Sequence, residues 1–261
     1  KRALKHFRSG SEMLPTDRDM DQMVSRRGQG ALLLDFYSPS DVQEALDRYS
    51  VAPKIADRGY ADLQVQLQTS ERTRQVVRVT GRRNDDRHLL GEAVLRHDDF
   101  RTDASFAGPL RDRQVRMLFV QWIRLQDPTR GFSAHRPPLP GQLHPGLGVG
   151  REVMSMFLGM AVRLGFDGIM VCPEFAHNAV LYSRQFRFFD PDTQGRYEAL
   201  AETMVGLTLA QFAWGVEKGC VTDENTGEKL RWFQEEMLRA TGGVVIQYLR
   251  SRDYARRVVQ A

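Results

Sequence analysis

Apolar and polar positions alternate with two different periods along this chain, and the change of period marks out its elements. Ala31-Leu-Leu-Leu-Asp-Phe-Tyr37 is a continuous apolar run that predicts a buried strand. Ser40 is placed to cap a helix running to about Tyr49, and a second short helix over 52–57 ends at Gly59. Leu63–Leu67 and Val76–Val79 alternate with period two, the mark of a half-buried strand. Val76–Val79 and Leu89–Leu95 flank the polar turn 81–86, which predicts a hairpin. Residues 98–112 are charged and carry Gly and Pro, and predict a loop; Val115–Leu125 predicts a long strand.

The long segment 127–145 holds Pro128, Pro137, Pro138, Pro140 and Pro145, and a loop of this length inside a compact domain is usually functional. It leads into Gly146-Leu-Gly-Val-Gly150 and a helix over 151–164 whose Val153, Phe157, Met160, Ala161 and Leu164 share one face. A short buried strand 169–172, a helix 178–185 and a strand 186–189 follow. Beyond Asp190-Pro191 the pattern turns helical, at 197–216, 228–240 and 251–260, with Val244–Tyr248 as a candidate late strand. Three parts result: an N-terminal arm 1–29, a domain 30–190, and a mainly helical extension 191–261 packed on that domain or on a second copy, which would make a homodimer.

With 41% hydrophobic and 27% charged residues the composition is that of an ordinary globular chain. The net charge of +4 is spread along it and comes mostly from Arg, which suits attraction to an anion without singling one out. The two cysteines, Cys172 and Cys220, form no disulfide framework or zinc pattern, and Cys172 in an apolar strand reads as a buried, inert thiol. The basic start runs into polar and acidic residues with no apolar signal core, and no apolar run approaches the ~20 residues of a membrane span. A cytoplasmic setting is the expectation. The Arg-rich ends lack a helix-turn-helix, zinc-finger or RRM signature, so a nucleic-acid partner is not expected.

Chemistry concentrates where strand 115–125, the Gly turn and helix 151–164 succeed one another. Glycines let backbone amides approach a ligand closely, and the helix start adds partial positive charge, a combination that suits phosphate. Gly146-x-Gly148-x-Gly150 has the wrong spacing for a dinucleotide fingerprint, and no Gly-Lys-Ser/Thr follows for a P-loop. The same glycines also serve a plain tight turn.

In these residues the chain resembles the GNAT (general N-acetyltransferase) superfamily, whose Q/R-x-x-G-x-G/A turn opens a helix after a long splayed strand. Gly148-Val149-Gly150 and Arg151 match the end of that turn, while its leading position falls on Pro145, with Gln142 and His144 nearby. Asn178-Ala179-Val180-Leu181-Tyr182 matches the second hallmark helix. The resemblance implies an α+β fold: a GNAT-like mixed, mostly antiparallel central sheet flanked by helices, with a helical C-terminal extension. It implies acetyl-CoA or another acyl-CoA as co-substrate and an unidentified amine as acceptor. On that pattern Gly146, Leu147, Gly148, Val149, Gly150 and Arg151 would hold the CoA pyrophosphate. Gln121, Trp122 and Ile123 would pair with the pantetheine arm, Asn178 would contact the cofactor, and Tyr182 would protonate the leaving thiolate.

A general base is harder to find, since 113–125 holds no Asp or Glu. His144 and Glu174 are the candidates, with His177 behind them; imidazole titrates near neutrality. The positions of His135, His144 and Glu174 show no metal-ligand spacing. Each choice has a structural alternative: Tyr182 as a core aromatic, Asn178 as a helix cap. A GNAT-like module that binds CoA or a protein partner without catalysis is the competing function.

Overall fold

The computed structural model describes residues 32–71, 73–102, 108–224 and 226–261. The arm 1–29 lies outside them. Two helices come first, α1 (Pro39–Arg48) and α2 (Val51–Ala56), followed by strands β1 (Ala61–Glu71), β2 (Arg74–Arg83), β3 (Asp86–Arg101) and β4 (Gln114–Leu125). Then come α3 (Gly150–Arg163), β5 (Gly168–Val171), α4 (Ala176–Tyr182), β6 (Arg187–Phe188), α5 (Pro191–Glu202), α6 (Leu209–Glu217), β7 (Met237–Ala240), α7 (Gly243–Leu249) and α8 (Arg252–Gln260).

The strands form one seven-stranded sheet in the order β1-β2-β3-β4-β5-β7-β6. Only β4 and β5 run parallel, joined through α3; every other neighbouring pair is antiparallel. The fold is thus α+β, a mostly antiparallel open sheet flanked by helices. Among the described residues no helix is long and apolar enough to cross a membrane.

Local chemistry explains most element ends. Ser38, not Ser40, caps α1: its hydroxyl accepts from the Asp41 amide at 3.2 Å, and the Asp41 carboxylate accepts from the Ser38 amide at 2.7 Å. Pro39 then occupies the first turn, where its missing N–H costs nothing. The β2–β3 hairpin closes through Asn84 and Asp85, both at positive φ, as a two-residue turn matched to strand twist requires. The apolar run at 32–37 does not extend into a strand. Leu34 and Asp35 take positive φ, Leu33 bridges Tyr37, and the Leu34 amide donates to the buried Gln75 side chain at 2.6 Å.

The main core lies between the sheet and the layer of α1, α2 and α3, where Val153, Phe157, Met160 and Ala161 are buried as their spacing predicts. Gly159 is fixed by close approach: a Cβ there would fall 1.9 Å from the Tyr49 hydroxyl, which packs onto α3 from the end of α1.

After residue 190 the sequence expectations need correction. The helix read over 197–216 is two helices, α5 and α6, separated by a turn with Gly206 at φ +81°. Residues 237–240, read as the end of a helix, form β7 inside the sheet, and Val244–Tyr248, read as a late strand, lies in α7. β7 carries Met237 and Leu238 into the core at 0% and 1% exposure. The terminal helices seal the β6 end, where the Tyr248 and Tyr254 hydroxyls donate to the carbonyls of Phe189 (2.8 Å) and Phe188 (2.6 Å). Arg257 of α8 ties back to Asp190 and Asp192 at the start of α5. The indoles of Trp214 and Trp232 donate to Pro138 and Pro173, so residues after 190 also brace the Pro-rich loop and the exit of β5.

Candidate functional site

β4 is bulged. Val94 of β3 pairs with Trp122 but the next residue, Leu95, pairs with Val120, leaving Gln121 as the extra residue. β5 ends at Val171, level with Val120. From Gln121 to Leu125, therefore, β4 has a strand on its β3 side and none on the other. The Gly turn closes the far end of this one-sided stretch: the Leu147 amide donates to the Leu125 carbonyl at 3.4 Å, Gly146 bridges Gln126, and the Asp127 amide donates to the Pro145 carbonyl at 2.7 Å.

Within the turn, apolar and glycine positions divide the labour. Leu147 and Val149 are each 1% exposed and anchor the turn in the core. Gly148, between them at φ +70°, and Gly150, just after Val149, are exposed, and nothing lies within 4 Å of a Cβ added to Gly150. Val149 caps α3 without a side-chain hydrogen bond. The first turn of the fourteen-residue α3 thus has no cap from Val149, and the Glu152 carboxylate takes a hydrogen bond from its own backbone amide; a helix start of this kind attracts anions. Glu152 in this turn is paired with Lys54 at 2.5 Å. Burial alone would raise its carboxyl, but the Lys54 contact outweighs that and holds it below the usual range.

Two guanidinium groups complete the site. The Arg58 Nη2 lies 2.9 Å, and the Arg136 Nη2 4.0 Å, from where a Gly148 Cβ would stand. Arg58 leaves the end of α2 beside Asp127, whose carboxylate is 1% exposed, with Arg58 at 3.7 Å and Arg130 at 3.3 Å. The other Asp127 oxygen accepts from the Tyr60 hydroxyl (2.7 Å) and the Thr129 hydroxyl (3.0 Å). Burial pushes the Asp127 carboxyl up, yet these hydrogen bonds and the Arg130 charge outweigh it, and the group lies below the usual carboxylate range. A buried carboxylate at the end of β4 therefore holds a cation over the Gly turn.

The sign of the linkage follows. A depressed folded pKa stabilises the protein above the unfolded value near ~4, and that contribution is lost as pH falls through the folded pKa. Asp127→Asn should cost about 2 kcal/mol at neutral pH and flatten the acid-side fall in melting temperature. Equal acid-side slopes for the two proteins would remove Asp127 from this role.

Among the other sequence-derived residues, Gln121 and Trp122 are exposed on the one-sided stretch and Ile123 is half-buried there. Asn178 sits in the first turn of α4 and its side-chain oxygen accepts from the Phe175 amide at 3.2 Å, a cap. Tyr182, the last residue of α4, packs against the core, and burial pushes its phenol up to about 12. His144 is half-buried within the Pro-rich loop, one residue before Pro145. Glu174 is exposed and its carbonyl accepts from Gln234. The buried His177 stacks on Phe175, and burial lowers its pKa to about 4, so it is neutral at pH 7 and a weak base. Cys172, expected to be buried, lies just past β5 and is exposed; partial desolvation by its neighbours and then the charges of Glu236 and Glu235 raise its thiol pKa. Among the described residues no group of His, Cys, Asp and Glu could hold a metal.

Sequence reasoning missed Arg58, Tyr60, Asp127 and Arg136. The only signal was position: Asp127 comes two residues after the end of β4, and Arg58 and Tyr60 flank Gly59, just past the end of α2. Neither a scan against protein-family models nor a search of the curated proteins finds a match to this chain.

Proposed function

We propose that this chain is an acyl-CoA-dependent N-acyltransferase of the GNAT type. The observation that carries the reading is the Gly turn at the start of α3, with Arg58 and Arg136 at Gly148, closing a bulged stretch of β4 that lacks a neighbour on one side. Turn amides, helix start and guanidinium groups together suit a pyrophosphate. The open edge of Gln121–Arg124 suits an extended amide-bearing arm, which could pair with it as a strand would. CoA carries both chemistries in one molecule. Acetyl-CoA or another acyl-CoA is the donor on this reading, and an amine the acceptor.

In the reaction the lone pair of a neutral amine attacks the thioester carbonyl, the proton shed by its nitrogen passes to solvent water, and the tetrahedral intermediate collapses with cleavage of the C–S bond to release CoA thiolate. Tyr182 is the hydrogen-bond donor to that sulfur. A phenol raised to about 12 stays protonated throughout the working pH range, and, being a weaker acid than a thiol of pKa ~8.5, it steadies the departing thiolate by its hydrogen bond without giving up the proton. Tyr182→Phe should lower kcat at least tenfold with little change in KM. An unchanged kcat would leave Tyr182 as packing alone.

The direct test is calorimetric titration with CoA and acetyl-CoA, followed by thiol release with a panel of amines. A second reading, a module that binds CoA without turning it over, is favoured by one observation. The described residues of β4 offer no carboxylate, and His177 is held neutral far below pH 7. Tight CoA binding without thiol release from any amine at pH 9, where acceptors are more deprotonated, would select it.

A further inference from the structure

β1 is the outermost strand of the sheet, and among the described residues no strand pairs with its outer side. Bulges at 62–63 and 69–70 bracket a regular stretch, Gln64–Gln68, in which each residue has one partner on β2. The backbone groups of this stretch that turn away from β2 are free to bond another strand. Sheet edges are commonly guarded by charged residues or proline. Leu63-Gln-Val-Gln-Leu-Gln-Thr-Ser70 holds neither. Its side chains alternate: Leu63, Val65 and Leu67 are half-buried and pack against the main core, while Gln64, Gln66 and Gln68 are exposed.

Gln64-Val65-Gln66-Leu67-Gln68 reads nearly the same in both directions, and this symmetry points to the occupant. Laid antiparallel against itself about Gln66, the stretch sets Gln64 opposite Gln68 of a second copy and Val65 opposite Leu67. Glutamine then faces glutamine and apolar faces apolar, with no charge between. The acids at the two strand ends are matched within their own copy: Arg87 pairs with Asp62, and Glu71 stands opposite Arg74 on β2. We propose that β1 is a homodimer interface, in which two copies of this chain pair their β1 edges about a two-fold axis at Gln66 and join their seven-stranded sheets into one. The half-buried row Leu63, Val65 and Leu67 meets its counterpart across the axis and gives up apolar surface to water no longer. β1 stands at the opposite end of the sheet from β6, so this surface is separate from the helices after residue 190 that seal the β6 end. The proposal does not depend on the acyl-CoA reading.

Sedimentation velocity on a dilution series of the full chain should show a monomer–dimer equilibrium. Gln64→Lys combined with Gln68→Lys sets ammonium groups face to face at both ends of the regular stretch, and should raise the dimer dissociation constant roughly tenfold or more. Gln64→Lys combined with Gln68→Glu sets opposite charges together in the same register, and should dimerise at least as tightly as the parent. Both positions are exposed, so each variant should melt as the parent does. Should the first variant fail to fold, amide hydrogen exchange of the parent at high and low concentration carries the test, since alternate amides of 64–68 should exchange more slowly in the dimer. A full chain that stays monomeric at every concentration overturns the proposal. A dimer equally tight in both charge variants, or one whose 64–68 amides exchange as fast as in the monomer, overturns it too and puts the contact elsewhere.

Discussion

Gly150→Glu should weaken CoA binding at least a hundredfold and leave the protein as stable as before, or slightly more so. Gly150 opens α3, with nothing within 4 Å of an added Cβ, so the glutamate side chain meets no obstacle. Glycine is the poorest residue but proline in a helix, and an acidic residue in the first turn complements the helix dipole, so both effects favour the folded state by a few tenths to about 1 kcal/mol. Binding moves the opposite way. The new carboxylate stands at the first turn of α3, beside the amides that would receive phosphate, and two like charges about 4 Å apart repel by roughly 4 kcal/mol at an effective dielectric of ~20. Gly150→Ala is the control, since it adds a Cβ without charge and should bind CoA almost normally. Calorimetry paired with thermal melting separates the outcomes: equal CoA affinity in Gly150→Glu would remove the anion site from the turn.

A chain ending at Asp190 should not fold. It would lack β7, which lies between β5 and β6 and pairs with both. β5 would then expose an unpaired edge, β6 would lose its pairing with β7, and Ile169 and Met170 would lose cover from Met237, Leu238, Tyr248 and Tyr254. A milder change reads the same dependence within the intact chain. Leu238 is 1% exposed, and Leu238→Ala should cost about 3 kcal/mol. Far-ultraviolet circular dichroism and thermal melting decide the matter. Cooperative melting of the shortened chain, with CoA binding retained, would make residues after 190 an independent module.

The charge network around Asp127 shows why part of the site was hidden from sequence reading. Arg58 stands far from Asp127 and Arg136 in the chain, and each alone is an ordinary polar residue near a turn. Only the meeting of the α2 end, the β4 end and the Pro-rich loop gives them a common function. Burial of His177 and Tyr182 likewise depends on what α4 packs against, and that packing moves both pKa values away from their ordinary ranges.

By itself the sequence determined the elements whose patterns are local: the alternating strands β1 and β2, the long β4, the apolar face of α3, and the glycine turn that opens it. Period two and period 3.6 are properties of a single segment, and turn glycines answer to backbone sterics, so no distant contact is needed to read them. Tertiary structure decided the rest. It turned 32–37 into a tight turn by giving the Leu34 amide a partner on Gln75, and it made 237–240 a strand between β5 and β6. Four residues carry too little periodicity to declare a strand, and their hydrogen bonds come from segments some fifty to seventy positions away. The one-sided stretch of β4 has the same origin: the length of β4 is written in its own residues, but its open edge exists only because β5 stops at Val171.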